Sequence, residues 1–579
     1  MTRQKHPARY GYLILTLPLL LAACTFSPAP PATARPAPGQ PASATPPPAA
    51  PTRPTARPTS RPPTPTPLAR PTPKPTATSI PLSPAPTTPP EGGQITVGGL
   101  GAPASLNPYL DGSDIAQALT PLLFDSLLAV EPDSGQLTPR LARSFDVSED
   151  ARTITFELAA GVRWHDGQPL TARDVLFTWQ AMIDADRFHR FWIPPERIDG
   201  LAAPDPATIT VSLTQPDCSL LYELGQAPIL PRHILEATGL FDEGFGRAPV
   251  GSGPFVFANW SETEGIQLAR NESAWQAAPF LEGWTYRPFS DTLEMKQALA
   301  AGLIDAALLP PGQGADEDGF STYAVPQAEM FFIAFNLEHP LLGEDKVRRA
   351  LGHALDREQI LAEALGGEGV LLAGSLGPGH WAGDSSLAWP DYDPDLAGAL
   401  LAGAGLVDTD GDGWLEQEGQ TVEIALRTNA GNDLRRSIAI LAGQYWRAVG
   451  LKTNVELVSW PSVVDDIFTR DYDAVVFSWP LEPDPDQSRF WRSTDLNIVS
   501  FADEAVDGWL QAGLSTPGCA AEGRAALYSR VQQRLAELRP YDFLLLPQAT
   551  LLAGPNLNGP APGLWAGPFW NAGKWFLER

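Results

Sequence analysis

Cysteine is scarce in this chain, with three in 579 residues, and histidine is sparse, with seven. Three cysteines are too few for a disulfide-stapled scaffold. The histidines at 6, 165, 189, 233, 339, 353 and 380 never adopt an H-x-x-H or H-E-x-x-H spacing, so a zinc enzyme or histidine-rich metal carrier lacks its ligand set. No G-x-S-x-G segment supplies a nucleophile elbow. Basic residues are also in short supply. Forty Lys and Arg face 67 Asp and Glu, a formal charge of −27. That surface repels phosphate backbones and argues against DNA or RNA as a partner. Composition excludes collagen and coiled coil. Beyond the first two dozen residues, no stretch reaches the 18 or so apolar residues a bilayer crossing needs. The nearest, residues 396–407, is interrupted by Gly398, Gly403 and Gly405.

Proline is abundant, and its placement is uneven. Of 61 prolines, 24 lie in residues 25–93, among Thr, Ala and Ser. Such a segment has too little apolar surface to offset its conformational entropy, and it reads as an extended, polyproline-like tether. At about 3.1 Å per residue its upper reach is roughly 200 Å. Before it, Arg3, Lys5 and Arg9 precede an apolar run from Tyr10 to Ala23, the layout of a secretory signal. The run ends Leu21-Ala22-Ala23-Cys24, which resembles the bacterial lipobox and implies cleavage before Cys24 and lipid attachment to its sulfur. Leader and tether are basic, so residues 94–579 alone carry −35.

The body reads as mixed α/β. Strand patterns fall at 94–97, 153–158 and 208–213, and a helix over 172–185 shows Val175, Trp179 and Met182 at helical spacing. A buried strand is expected at 331–336 and a helix from Lys346 to about Leu365. A β-α-β unit runs from Val422 to Leu457, a further apolar strand occupies 474–477, and a last helix spans about 520–539. Cys218 and Cys519 remain after Cys24. An oxidising compartment permits them to pair, and two separate buried thiols are the alternative.

Ordered phrases along the body carry a family resemblance. They include Leu106-Asn107-Pro108-Tyr109, then Gly161-Val162-Arg163-Trp164-His165-Asp166-Gly167, then Leu170-Thr171-Ala172-Arg173-Asp174-Val175. Gly251-Ser252-Gly253-Pro254-Phe255 follows, and later Phe335-Asn336-Leu337 with Val347-Arg348-Arg349-Ala350-Leu351. From Leu106 onward the chain resembles the large extracytoplasmic solute-binding proteins of peptide and nickel ABC importers, family 5. The resemblance implies a two-lobed type II periplasmic-binding α/β fold with a ligand cleft between lobes. It also implies ABC permease and ATPase partners, and a lipid-anchored monomer outside the cytoplasmic membrane. The expected organisation is a signal peptide over 1–23 and a lipidated tether over 24–93. One lobe would comprise 94–330 and 488–579, and the second 331–487.

Individual residues separate into structural and ligand-facing expectations. In Trp164-His165-Asp166-Gly167, adjacent residues on a strand point to opposite faces, so His165 and Asp166 form a turn rather than a catalytic dyad. Trp479 and Glu482 lie in the segment that faces ligand in the family. Peptide-binding relatives place an Asp three positions after this Trp to receive the peptide amino terminus. Glu482 stands at that position, with Asp484 as the rival carboxylate. Arg427 is a candidate for a ligand carboxylate, against a surface ion pair. Asp408, Asp410 and Asp412 match the first, third and fifth positions of a calcium loop, but Gly419 stands where the bidentate Glu belongs, with Glu416 and Glu418 displaced. A structural turn and a structural calcium site are both compatible with that pattern. No other cofactor is expected. The functions in competition are an ABC-importer binding lipoprotein, a sensing receptor on the same fold, and a carboxylate-dependent hydrolase.

Overall fold

The computed structural model describes residues 89–578, apart from 186–188, 315–317 and 495–496. The leader, Cys24 and nearly all of the tether lie outside the described residues. The body begins slightly before the expected residue 94, because Gly92 donates its N–H to the Phe280 carbonyl and the Gly93 carbonyl accepts from Glu282.

In chain order the elements used below are β1 (Gln94–Leu100), β2 (Ala142–Val147), β3 (Thr153–Leu158), α1 (Ala172–Ile183), β4 (Ile198–Asp205), β5 (Thr208–Leu213) and α2 (Ser219–Gln226). They continue with β6 (Phe255–Ser261), β7 (Gly265–Arg270), β8 (Gly283–Phe289), β9 (Ala306–Leu309), β10 (Ser321–Pro326), β11 (Glu329–Phe335) and β12 (Gly369–Leu371). The rest are β13 (Glu423–Asn429), α3 (Asp433–Ala448), β14 (Lys452–Val458), β15 (Ala474–Pro480), α4 (Glu504–Leu514), α5 (Ala521–Leu538) and β16 (Tyr541–Ala553). The expected helix from Lys346 is two helices, Asp345–His353 and Arg357–Leu365, because the Asp356 side chain accepts the Gln359 N–H and caps a new start.

One sheet runs through both lobes in the order β14-β13-β15-β11-β16-β9-β1-β8-β7-β6, with β10 and β12 also pairing β16. A second, four-stranded sheet is ordered β2-β3-β5-β4. The joint is β16, 13 residues long. Its first half pairs β11 through Tyr541–Leu545, and its second half pairs β9 and β10 through Gln548–Ala553. Pro547, which has no N–H to donate, sits where the partners change, a place a ladder tolerates it.

Burial follows strand parity. Along β11, Phe331, Ile333 and Phe335 enter one core while Met330, Phe332 and Ala334 enter another. Along β15, Ala474 and Val476 face the first of these, and Val475, Phe477 and Trp479 the second. Both strands are thus covered on both faces, which explains their unbroken apolar runs. The first lobe has its own core, containing Val97, Phe156, Trp179, Leu220, Trp284 and Trp575.

The packing moves one expected boundary. Residues following 487 do not return to the first lobe: Trp491, Val506, Leu510, Tyr528, Val531 and Leu535 all pack with Phe332 and Trp479. The return lies within β16, since Leu551 and Ala553 belong to the first core. A single strand shared by both halves leaves no change of composition to mark the crossing.

Candidate functional site

The loop after β15 lies at the seam between the lobes. Pro483 comes close to Gly135 of the first lobe, where an added Cβ would lie 3.4 Å from it. Trp381 holds the loop from the second lobe by donating its indole N–H to the Pro483 carbonyl at 3.1 Å. The same indole stacks on Tyr222 of α2, with ring centroids 6.4 Å apart and planes within 9°. Its backbone N–H donates to the Ser134 carbonyl at 2.9 Å. His380 adds a second donor, Nε2, to Pro483, while its Nδ1 accepts the Ala382 N–H. Burial lowers this imidazole to about 4, so it is neutral at pH 7, in the tautomer those two bonds require.

Within the loop, Asp484 is buried and accepts both guanidinium arms of Arg524, at 2.7 and 2.8 Å. Arg524 comes from α5, and its side chain is 1% exposed. Asp484 is therefore removed as the ligand-facing rival. Asp486 is half-buried and accepts from Ser488 Oγ at 2.7 Å and Tyr528 Oη at 3.3 Å. Burial, followed by the Asp484 charge, raises its carboxyl to about 7. Glu482 is exposed, with Arg489 only as near as 3.9 Å. Of the three carboxylates in the loop, Glu482 is the one least occupied by the protein.

Trp479 does not offer its ring to the cleft in this form. It stacks with Phe490 at 5.0 Å and with Phe332 at 6.3 Å between ring centroids. The indole N–H is directed to Tyr541 Oη, 3.4 Å away. The expected role, packing a ligand side chain, is taken by its own neighbours. Arg427 is likewise occupied. It pairs with Glu456 at 2.7 Å and Asp466 at 3.1 Å and donates to the Asp471 carbonyl. The hydrogen bond it donates to Glu456 leads the effects that raise its guanidinium further. The surface ion pair, rather than a ligand anchor, describes it.

Sequence reasoning missed the groups that hold this loop, Trp381 and Arg524, because they come from segments 102 and 40 residues away in sequence. It also missed Arg435 of α3, which is buried over Phe477 and donates to Asn429 at 3.1 Å and to Ser478. The Glu329 carboxylate lies 3.7 Å from Arg435, and burial raises it. The space lined by Met330, Leu376, Glu482, Asp486 and Phe490 amounts to about 10 Å³, roughly one water. Its lining comes from the second lobe, so it is a crevice beside Glu482 on that side of the seam.

The remaining expectations resolve locally. His165 accepts the Gly251 N–H and bonds the Gly253 carbonyl, tying two of the recognised phrases together, and Asp166 pairs with His233 at 2.6 Å. The pair is a structural clasp. Thr171 and Asp174 form a capping box at the start of α1. In the acidic loop, Asp408 accepts the Gly411 and Gly413 N–H groups, Asp410 accepts from Asp412, and Asp412 from Trp414. Buried Glu416 joins them, and one oxygen of each of the four carboxylates lies within 4.8 Å of the others. These groups could gather a hard cation, yet each Asp is already engaged by backbone N–H. Cys218 and Cys519 are joined by a disulfide, with Cα atoms 5.4 Å apart.

Comparison with known proteins agrees with this architecture. Residues 136–498 match the family model described as bacterial extracellular solute-binding proteins, family 5 Middle. The oligopeptide-binding protein AppA of Bacillus subtilis is 27% identical over 511 residues, covering 85% of this chain and 93% of that protein. Its structure in complex with a nonapeptide superposes with a TM-score of 0.64 over 85% of this chain and 100% of that one. NikZ of Campylobacter jejuni, in complex with Ni(L-His), is 26% identical with a TM-score of 0.65, covering 83% of this chain and 99% of that one. Two lobes sharing one strand, the seam loop after β15 and these matches lead to one conclusion: the chain belongs to family 5 of the bacterial extracellular solute-binding proteins.

Proposed function

We propose that this chain is the substrate-binding component of an ABC importer, capturing extended peptides or a related small solute with an ammonium group between its lobes. The observation that carries this reading is the exposed carboxylate of Glu482 on the seam loop, beside an Asp484 already neutralised by Arg524. Glu482 anchors the ammonium, and closure around the solute follows from its higher affinity for the closed form. The closed form docks on a membrane permease served by an ATPase. Cys24 carries the lipid, and the proline-rich segment joins it in sequence to a monomeric body outside the membrane. Among the described residues no helix is long and apolar enough to cross a membrane. The relative named for oligopeptides and its nonapeptide complex support peptide as the ligand class, and the Ni(L-His) complex supports smaller solutes. Binding involves no turnover.

The test is calorimetry with a peptide panel, free and N-acetylated. Glu482→Gln should weaken free-amino peptides tenfold or more, about 1.4 kcal/mol, and leave acetylated ones unchanged. Equal affinities for wild type and variant would reject Glu482 as the anchor, and hydrolysis of the panel would reject a pure binder.

A further inference from the structure

We infer that the Cys218–Cys519 disulfide is a redox-sensitive latch that holds the two lobes together along their seam. Cys218 precedes α2, whose Leu220, Leu221 and Leu224 lie in the first-lobe core. Cys519 sits in the short turn between α4 and α5, whose Val506, Leu510, Tyr528 and Val531 lie in the second-lobe core. The bond therefore joins bodies that the backbone connects elsewhere. Those backbone connections are the step from β10 to β11 and the middle of β16. They run side by side, since the Gln327 N–H donates to the Pro547 carbonyl at 2.9 Å, so together they form one pivot of the hinge type.

The disulfide is a third connection, made by helical segments outside that sheet. Around it the seam is closed by weaker links: Cys218 N–H to the Leu514 carbonyl at 2.9 Å, Trp381 N–H to Ser134, and the Tyr222–Trp381 stack. Thermal opening can break such contacts, but it cannot break a covalent bond. A covalent bond across the seam limits how far the lobes can part, and with that how readily a solute enters or leaves between them. The latch rests on the two-lobed architecture and not on what the cleft binds.

Access to the bond is one-sided. Cys218 is fully buried, whereas Cys519 is half-buried between exposed Gly518 and Ala520. An extracytoplasmic dithiol reductant would attack from that side. Its thiolate bonds to the Cys519 sulfur as the S–S bond breaks, and Cys218 leaves as a thiolate at the start of α2, where the helix end favours negative charge before protonation. The reductant's second thiol, losing its proton, displaces Cys519 and leaves the reductant oxidised to a disulfide and both cysteines as thiols.

Amide hydrogen exchange of the full chain tests this without any ligand, comparing oxidised protein, protein reduced with a phosphine, and the Cys218→Ser/Cys519→Ser variant. Seam fragments containing Cys218 (Ser in the variant) and Trp381 should exchange at least tenfold faster in reduced protein and variant. Fragments from β11 should be unchanged, and reoxidation of the reduced protein should restore protection. Unchanged seam exchange on reduction would overturn the latch. So would acceleration of β11 together with the seam, which would make the bond a staple of the fold. Two free thiols in protein purified without reductant would also overturn it.

Discussion

Asp484 and Arg524 are both nearly inaccessible, and each satisfies the other with two parallel hydrogen bonds. Removing one partner leaves an uncompensated buried charge, so Asp484→Ala should cost about 3–5 kcal/mol, read as a lower urea midpoint with an unchanged slope. A loss under about 1 kcal/mol would mean the pair is solvated. Asp486 responds to pH in the opposite sense from an ordinary carboxylate. Its folded value near 7 lies above the unfolded value near 4, so the native state binds more protons between those limits and Asp486 makes stability fall as pH rises through them. His380, lowered to about 4, adds stability over nearly the same rise, because there the unfolded state binds more protons. The two effects oppose, and the variant separates them. Asp486→Asn should gain stability relative to wild type as pH goes from about 4 to about 7. A pH-independent difference would contradict the assignment.

The strands carried the most information at the scale of elements. Thr153–Leu158 and Thr208–Leu213 alternate in sequence and in burial alike, and the continuous apolar run of β15 states that both its faces are covered. That same run holds the reason Trp479 is not a ligand platform: odd-numbered positions of β15 point with Val475 and Phe477 into a core. Trp479→Ala should accordingly cost about 3–5 kcal/mol of stability, measured by denaturant melting; a native melt would return the ring to the cleft. The acidic loop was legible as a turn, with Gly411 and Gly413 at positive φ of 81° and 93°. Its fourth carboxylate, Glu416, was displaced in sequence but adjacent in space. Because backbone N–H groups already engage the three Asp residues, melting temperatures in calcium and in chelator should coincide. A rise with calcium concentration would mark a bound ion.

Across the whole molecule, the ordered phrases disclosed the fold, and what they left open were features made by distant segments meeting. The crossing inside β16, the grip of Arg524 on Asp484 and the contact between Cys218 and Cys519, 301 residues apart, have no local signature. Folding alone brings such groups together. Glu482 was found only because a resemblance aligned it; its availability became visible once its rivals proved occupied. The proposed function stands on that carboxylate receiving the ammonium of a captured solute. Native mass spectrometry of the purified protein tests this most directly. A single bound solute carrying a primary amine, present on wild type and absent from Glu482→Gln, is the predicted result. A solute without an amine, retained equally by both proteins, would contradict it.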